Sequence, residues 1–110
     1  MAVKPRKAEK PVEVHLFLAS GTAKEAAGLE WTAGAQYSLL ILTRQPEGQA
    51  PDEALARRSA SAAGWTSISI ERSRRLPVTT VLESEALRAA FQEALSEGAS
   101  VVAHGVPLRK

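Results

Sequence analysis

The side chains with the widest range of chemistry in this sequence are those of its two histidines, because imidazole can bind a metal or relay a proton near neutral pH. His15 and His104 lie in separate segments, and Glu13 and Glu71 are acids that could complete a site with them. No HExxH motif is present, and two histidines with scattered acids lack the spacing of a zinc site. The pattern favours two separate strand histidines, so the sequence predicts no metal and no cofactor.

No motif marks a nucleophile or a phosphate-binding loop. The chain has no cysteine, which excludes disulfides, thiolate metal sites and a cysteine nucleophile. Its serines lack the G-x-S-x-G elbow of the α/β-hydrolases. Residues 19–24 combine small residues with a lysine, but they match neither G-x-x-x-x-G-K-[ST] nor G-x-G-x-x-G. An ordinary strand-to-helix turn is the expected structure there, and an enzyme is the least favoured class.

Guanidinium groups bind phosphates and carboxylates, and the sequence has three closely spaced arginines, Arg72, Arg74 and Arg75. Nucleic-acid readers on open sheets also need exposed aromatic side chains that stack on bases. Phe17 is the one aromatic residue whose position fits such a platform. The arginines therefore give an alternative hypothesis, an accessory nucleic-acid-binding protein, beside the simpler interpretation of a solvated loop.

The basic residues are concentrated at the N-terminus. Residues 1–11 contain four basic residues, one acid and two prolines, which predicts a disordered basic tail. The whole chain has a formal charge of +2, so the remaining residues sum to −1, unlike the broad basic face of a dedicated nucleic-acid domain. With no long apolar stretch and no cysteine, the sequence predicts a cytoplasmic protein with no membrane partner.

Four segments have the alternation or the apolar content of β-strands. In residues 12–19 the side chains of Glu13, His15 and Phe17 share one face, and the even-numbered residues share the other. Residues 37–44 form the strongest apolar run and predict a central strand that is buried on both faces. Residues 65–73 and 99–106 predict the other two strands.

Two helices have recognisable beginnings and ends. One is expected to open at Pro51, with acids in its first turn, and to end at Gly64. The other is expected to begin after the capping residue Ser84 and to end at Gly98. A third, short helix is predicted within residues 20–28, capped by Ser20 or Thr22.

Together these elements predict an α+β two-layer sandwich formed by residues 12–108, in which two helices cover one face of a four-stranded sheet. The predicted order is β-(short α)-β-α-β-α-β, which resembles ferredoxin-like sandwiches, an analogy of fold that implies no function. The opposite sheet face would then be open.

The open face leads to a functional hypothesis. A small non-enzymatic protein-interaction module that associates with itself as a homodimer is expected, with Phe17 and an apolar edge at residues 78–82 as contact points. The candidate binding residues of the two hypotheses are His15, Phe17, Arg72, Arg74 and Arg75.

Overall fold

A computed structural model describes residues 11–25 and 31–103. Its elements are β1 (Val12–Ala23), β2 (Gln36–Pro46), α1 (Glu53–Ala62), β3 (Trp65–Pro77), α2 (Glu85–Glu97) and β4 (Ala99–Ala103). The predicted tail, apart from Pro11, and the predicted strand residues after Ala103 lie outside the described residues, and so does His104. The observed order is β-β-α-β-α-β.

The four strands form one sheet in the order β3-β1-β2-β4, and every neighbouring pair is antiparallel. The central position predicted for residues 37–44 is confirmed, because they lie in β2. β1 is longer than expected and pairs with both neighbours as far as Thr22. Ser20 and Thr22 are therefore strand residues and do not cap a helix, and residues 26–28 of the predicted short helix lie outside the described part of the chain.

The two helices lie on opposite faces of the sheet, so the predicted two-layer arrangement is wrong. Ala56 and Ala60 of α1 pack in a cluster with Phe17, whereas Phe91 of α2 packs in a second cluster with Val14. Successive side chains of a strand point to opposite faces, so an odd and an even residue of β1 identify the two sides. The order and arrangement do not confirm the ferredoxin-like analogy.

The course of each helix decides how much of its sheet face it covers. β2 ends at the end of the sheet where β1 begins, and β3 begins at the other end, where Trp65 pairs with Ala23. α1, which connects them, therefore runs along the strands. α2 instead connects the end of β3 to the start of β4, and both lie at the same end of the sheet. It crosses from one edge to the other and contacts β1, β2 and β4.

Both helices begin at capping residues. The side chain of Asp52 accepts a hydrogen bond from the N–H of Leu55 at 3.0 Å, so the first helix begins at Glu53, two residues after the predicted start at Pro51. The side chain of Ser84 accepts from the N–H of Leu87 at 3.2 Å, as predicted. The predicted end of α2 at Gly98 is also confirmed, because this residue has φ of +102°, which glycine adopts without strain.

β3 is a long edge strand with irregular pairing. It continues to Pro77, four residues beyond the predicted end, because residues up to Pro77 keep pairing with β1. Its register against β1 shifts twice, and Ser67 at the second shift has φ of +53°. The predicted apolar edge at residues 78–82 is not a strand. A turn closed by the N–H of Thr80 on the carbonyl of Pro77 begins there.

Candidate interaction surface

Phe17 and His15 cannot form the predicted contact surface, because both side chains are fully buried. They do share one face of β1, as the alternation predicted, but that face is covered by α1 and by the loop of residues 47–52. The sequence prediction was wrong about exposure because alternation shows which residues share a face, not which face a helix covers. Phe17 is a core residue beside Ile41 and Ala60.

His15 contacts a buried carboxylate at one end of the sheet. Its Nε2 lies 2.8 Å from Oε2 of Glu13, a carboxylate whose side chain is 7% exposed. The N–H of Gly48 donates to the same oxygen at 3.3 Å, and Nε of Arg75 lies 3.7 Å from it. The hydrogen bond from His15 holds the pKa of Glu13 below its ordinary value, helped by Gly48 and Arg75 and opposed by burial.

A second polar pair lies beside the first and fixes the same loop. Oγ1 of Thr43 donates to Oε1 of Gln45 at 3.1 Å, and both side chains are buried. The amide of Gln45 donates to the carbonyl of Ala50, and its Oε1 accepts from the N–H of Asp52, both at 3.2 Å. The loop between β2 and α1 is therefore attached to the sheet by side chains of β1 and β2.

The Glu13–His15 pair lies inside the fold, where Glu13 connects the loop after β2 to the sheet. No solvent reaches the imidazole, so no substrate reaches it in this conformation. Its Nδ1 is buried without a hydrogen-bond partner among the residues that the structure describes. Of the two acids that the sequence offered as partners, Glu13 contacts His15 and Glu71 lies on the edge strand β3. The E-x-H spacing on a strand was the signal for this pair, since residues two apart share a face.

The three arginines do not form one cluster. In the register of β3 on β1, Arg72 pairs with Leu18 and Arg74 with Leu16, so these two side chains share the α2 side of the sheet. Arg75 pairs with His15 and lies on the other side, where it also donates to the carbonyl of Gln49 at 3.1 Å. The separation follows from strand alternation, and it was not predicted because the strand was expected to end at Ser73.

The α2 side of the sheet carries an incompletely covered surface, which we call the open patch. It consists of Leu16, Leu18 and Leu40, with Arg72, Arg74 and Glu71 along β3. The three leucines are only half-buried, although they lie on the two central strands. Leu16, Leu18, Arg72 and Arg74 help to line a shallow groove of about 390 Å³. Leu18, Leu40 and Glu71 help to line a second one of about 340 Å³.

The open patch exists because α2 crosses the strands at one end of the sheet and does not run along them. That helix covers Val14 and Leu42 at one end of the face, whereas Leu16 and Leu40 pack only against the margin of the same cluster and stay partly exposed, and Leu18 lies outside the cluster. Beyond the leucines, small polar residues of β1 and β2, Ser20 and Ser38, pair on the same face. No signal in the strand pattern alone predicts the patch, because it depends on the direction of a helix that lies elsewhere in the sequence.

Within residues 11–25 and 31–103, no group of three or more His, Asp or Glu side chains is placed to hold a metal ion. In the same part of the chain no helix has the length and apolar character needed to span a membrane. Comparison of the chain with protein-family models, with curated proteins and with solved structures finds no match.

Proposed function

We propose that this protein is a non-enzymatic interaction module that associates with itself through the open patch. The observation that carries the proposal is the incomplete burial of Leu16, Leu18 and Leu40 in the middle of the sheet. Leucines on central strands ordinarily belong to a core, and a contiguous apolar surface with a polar rim marks an interaction site. Self-association therefore replaces the predicted contact through Phe17 with a contact on the opposite face.

The size of the patch sets the strength of the expected association. Four strands span roughly 14 Å, and six residues of strand span roughly 20 Å. Stable dimers bury about 800 Å² of accessible surface on each partner, and the patch alone is smaller than that. Contact through this surface therefore gives a weak, reversible dimer whose population depends on concentration.

Leu18→Glu is the variant that tests the proposal. The new carboxylate faces Arg72 across the strands, so the folded monomer gains an opposite-charge pair while the apolar contact is lost. We expect the wild-type average mass to rise with concentration in sedimentation equilibrium. The variant should keep the monomer mass over the same range and give an unchanged circular dichroism spectrum.

Leu55→Glu is the matched control. Leu55 is also a half-buried leucine, but it lies in α1 on the other side of the sheet. This control should associate like the wild type. A wild-type protein that stays monomeric at millimolar concentration contradicts the proposal, and so does equal association of the wild type and the Leu18→Glu variant.

A second candidate function, accessory nucleic-acid binding, is favoured by one observation. Arg72 and Arg74 are exposed on the same side of an edge strand, and neither forms an ion pair among the residues that the structure describes. Two such guanidinium groups, together with the basic N-terminal tail, suit a phosphate backbone. The hypothesis no longer includes Phe17, which is buried, or Arg75, which lies near Glu13.

A binding assay with a fluorescent oligonucleotide at low salt tests this second function. The Arg72→Gln/Arg74→Gln variant should bind several-fold more weakly than the wild type, and wild-type affinity should fall steeply as salt is raised. Arg57→Gln/Arg58→Gln, which removes two exposed arginines of α1, is the matched control and should change affinity little. Equal loss in both variants would indicate nonspecific attraction, and absence of binding at low salt would exclude the function.

A further inference from the structure

We propose that the dimer is reciprocal, with α2 of each protomer seated on the open patch of the other. The inference rests on the proposed self-association and adds which surface of the second copy occupies the patch. It follows from the shape of the α2 side of the sheet, from the residues on the outer side of α2 and from the distribution of charge.

The α2 side of the sheet has two levels, because α2 is raised above the open patch. α2 covers one end of the face, and the open patch occupies the rest at a lower level. A helix packs about 10 Å above the layer that it covers, so two patches cannot meet flat while each has a helix beside it. A two-fold axis that lies in the interface and crosses the strands places each α2 over the partner's patch. The open patch of each protomer is then covered by the partner's α2.

The outer side of α2 has residues that suit this position. Ala90, Phe91 and Ala94 face the sheet, and a helical repeat of 3.6 residues places Glu85 and Ala89 on the side away from it. Both are exposed. Alanine lets a helix approach a shallow apolar groove closely, so Ala89 fits against the half-buried leucines.

The charges of the two surfaces are complementary. The chain passes from β3 through residues 78–84 into α2 and then into β4 at the opposite edge, so Glu85 lies at the β3 end of the helix. The proposed axis keeps β3 of one protomer over β3 of the other. It therefore brings Glu85 toward Arg72 and Arg74 of the partner. A two-fold interface contains every contact twice, so two such sets form in each dimer.

The reciprocal arrangement also increases the buried interface area toward the size found in stable dimers. Each protomer contributes both its patch and the outer side of its own α2, so the interface is about twice that of one patch covered by one helix. This moves the contact toward the standard size of a specific interface. Contact of patch with patch offers no such doubling, and it leaves both helices without a partner.

Cysteine cross-linking tests the arrangement without interference, because the natural chain has no cysteine. Leu18→Cys and Ala89→Cys are prepared as separate variants and mixed at a concentration where the wild type associates. A short bismaleimide should join the two variants to each other, with a yield at least severalfold above that of either variant alone. A mixture of Leu18→Cys with Ala62→Cys, an exposed residue of α1 on the other side of the sheet, gives the background.

The outcomes separate this inference from the proposed function. Preferential joining of position 18 to position 89 supports the reciprocal dimer. Joining of Leu18→Cys to itself above background would overturn it and favour contact of patch with patch, leaving self-association in place. Background yields throughout, with the wild-type mass still rising with concentration and the Leu18→Glu variant monomeric, would also overturn the inference alone. A wild-type protein that is strictly monomeric would overturn both.

Discussion

At the scale of single residues, the buried Glu13–His15 pair explains why one end of the sheet tolerates charge. One carboxylate oxygen receives hydrogen bonds from His15 and from the N–H of Gly48, with Arg75 nearby. A buried carboxylate is stable only when such partners compensate for the loss of water. The same contacts attach the loop after β2 to the sheet, so the pair contributes to positioning α1.

The lowered pKa of Glu13 predicts sensitivity to acid. Because the folded state favours the ionised carboxylate, this group contributes stability above the ordinary carboxyl pKa, and that contribution is lost as the pH falls through the lowered folded-state value. We expect Glu13→Gln to reduce the free energy of unfolding at pH 7 and to weaken its decline below about pH 4, the range of ordinary carboxyl groups. Urea titrations across this range measure both effects.

Glu97→Gln, which changes an exposed acid at the end of α2, is the control for this prediction. Its dependence on pH should follow that of the wild type. If Glu13→Gln and the wild type lose stability in parallel below pH 4, the buried carboxylate does not make the proposed contribution.

At the scale of elements, α1 depends on small residues for its close contact with the sheet. Ala56 and Ala60 have no exposed surface, and they pack in the cluster that contains Phe17 and Trp65. Close approach leaves no space for a larger side chain. Ala60→Leu is therefore expected to destabilise the protein by about 1–3 kcal/mol, the usual cost of overpacking a core.

Chemical denaturation of Ala60→Leu and Ala62→Leu checks this prediction. Ala62 is exposed in the same helix, so leucine there changes helix propensity slightly and packing hardly at all. Ala62→Leu should lie within about 0.5 kcal/mol of the wild type. Equal effects of the two variants would mean that α1 does not pack as closely as the structure indicates.

The elements also show which features of the fold can be predicted from the sequence. Ser84 and Gly98 mark the ends of α2 through local backbone requirements, and the apolar run of β2 identified a central strand, so both predictions were confirmed. The side on which each helix lies was not predictable in this way. β1 has apolar residues on both faces, such as Val14 and Phe17, and either face could have received both helices.

The candidate surface was less predictable than the fold for the same reason. Arg72 and Arg74, which do border the open patch, were predicted as binding residues from their charge alone. Leu18 was not predicted as a surface residue, because a leucine in an alternating strand is ordinarily assigned to the core. Its exposure results from α2 crossing only one end of the sheet, and that depends on contacts between segments far apart in the chain.

At the scale of the whole molecule, a single sheet separates two different environments. One side is covered by α1 and the loop of residues 47–52, whereas the other is covered by α2 at one end and only partly covered from Leu16 onward. A small domain has few apolar residues with which to build a core, and leaving three leucines half-buried reduces the area that it buries as a monomer. In the proposed dimer the second copy supplies the missing cover.

The irregular backbone of β3 has a further consequence for solubility. A free sheet edge with unpaired peptide groups invites other chains to add on, which is how fibrils grow. Here the two register shifts and the positive φ of Ser67 distort that edge, and arginines crowd its second half. A strand from another molecule would meet a distorted edge and, from the same arginines, electrostatic repulsion. Association through the open patch is therefore not expected to lead to edge-to-edge fibril growth.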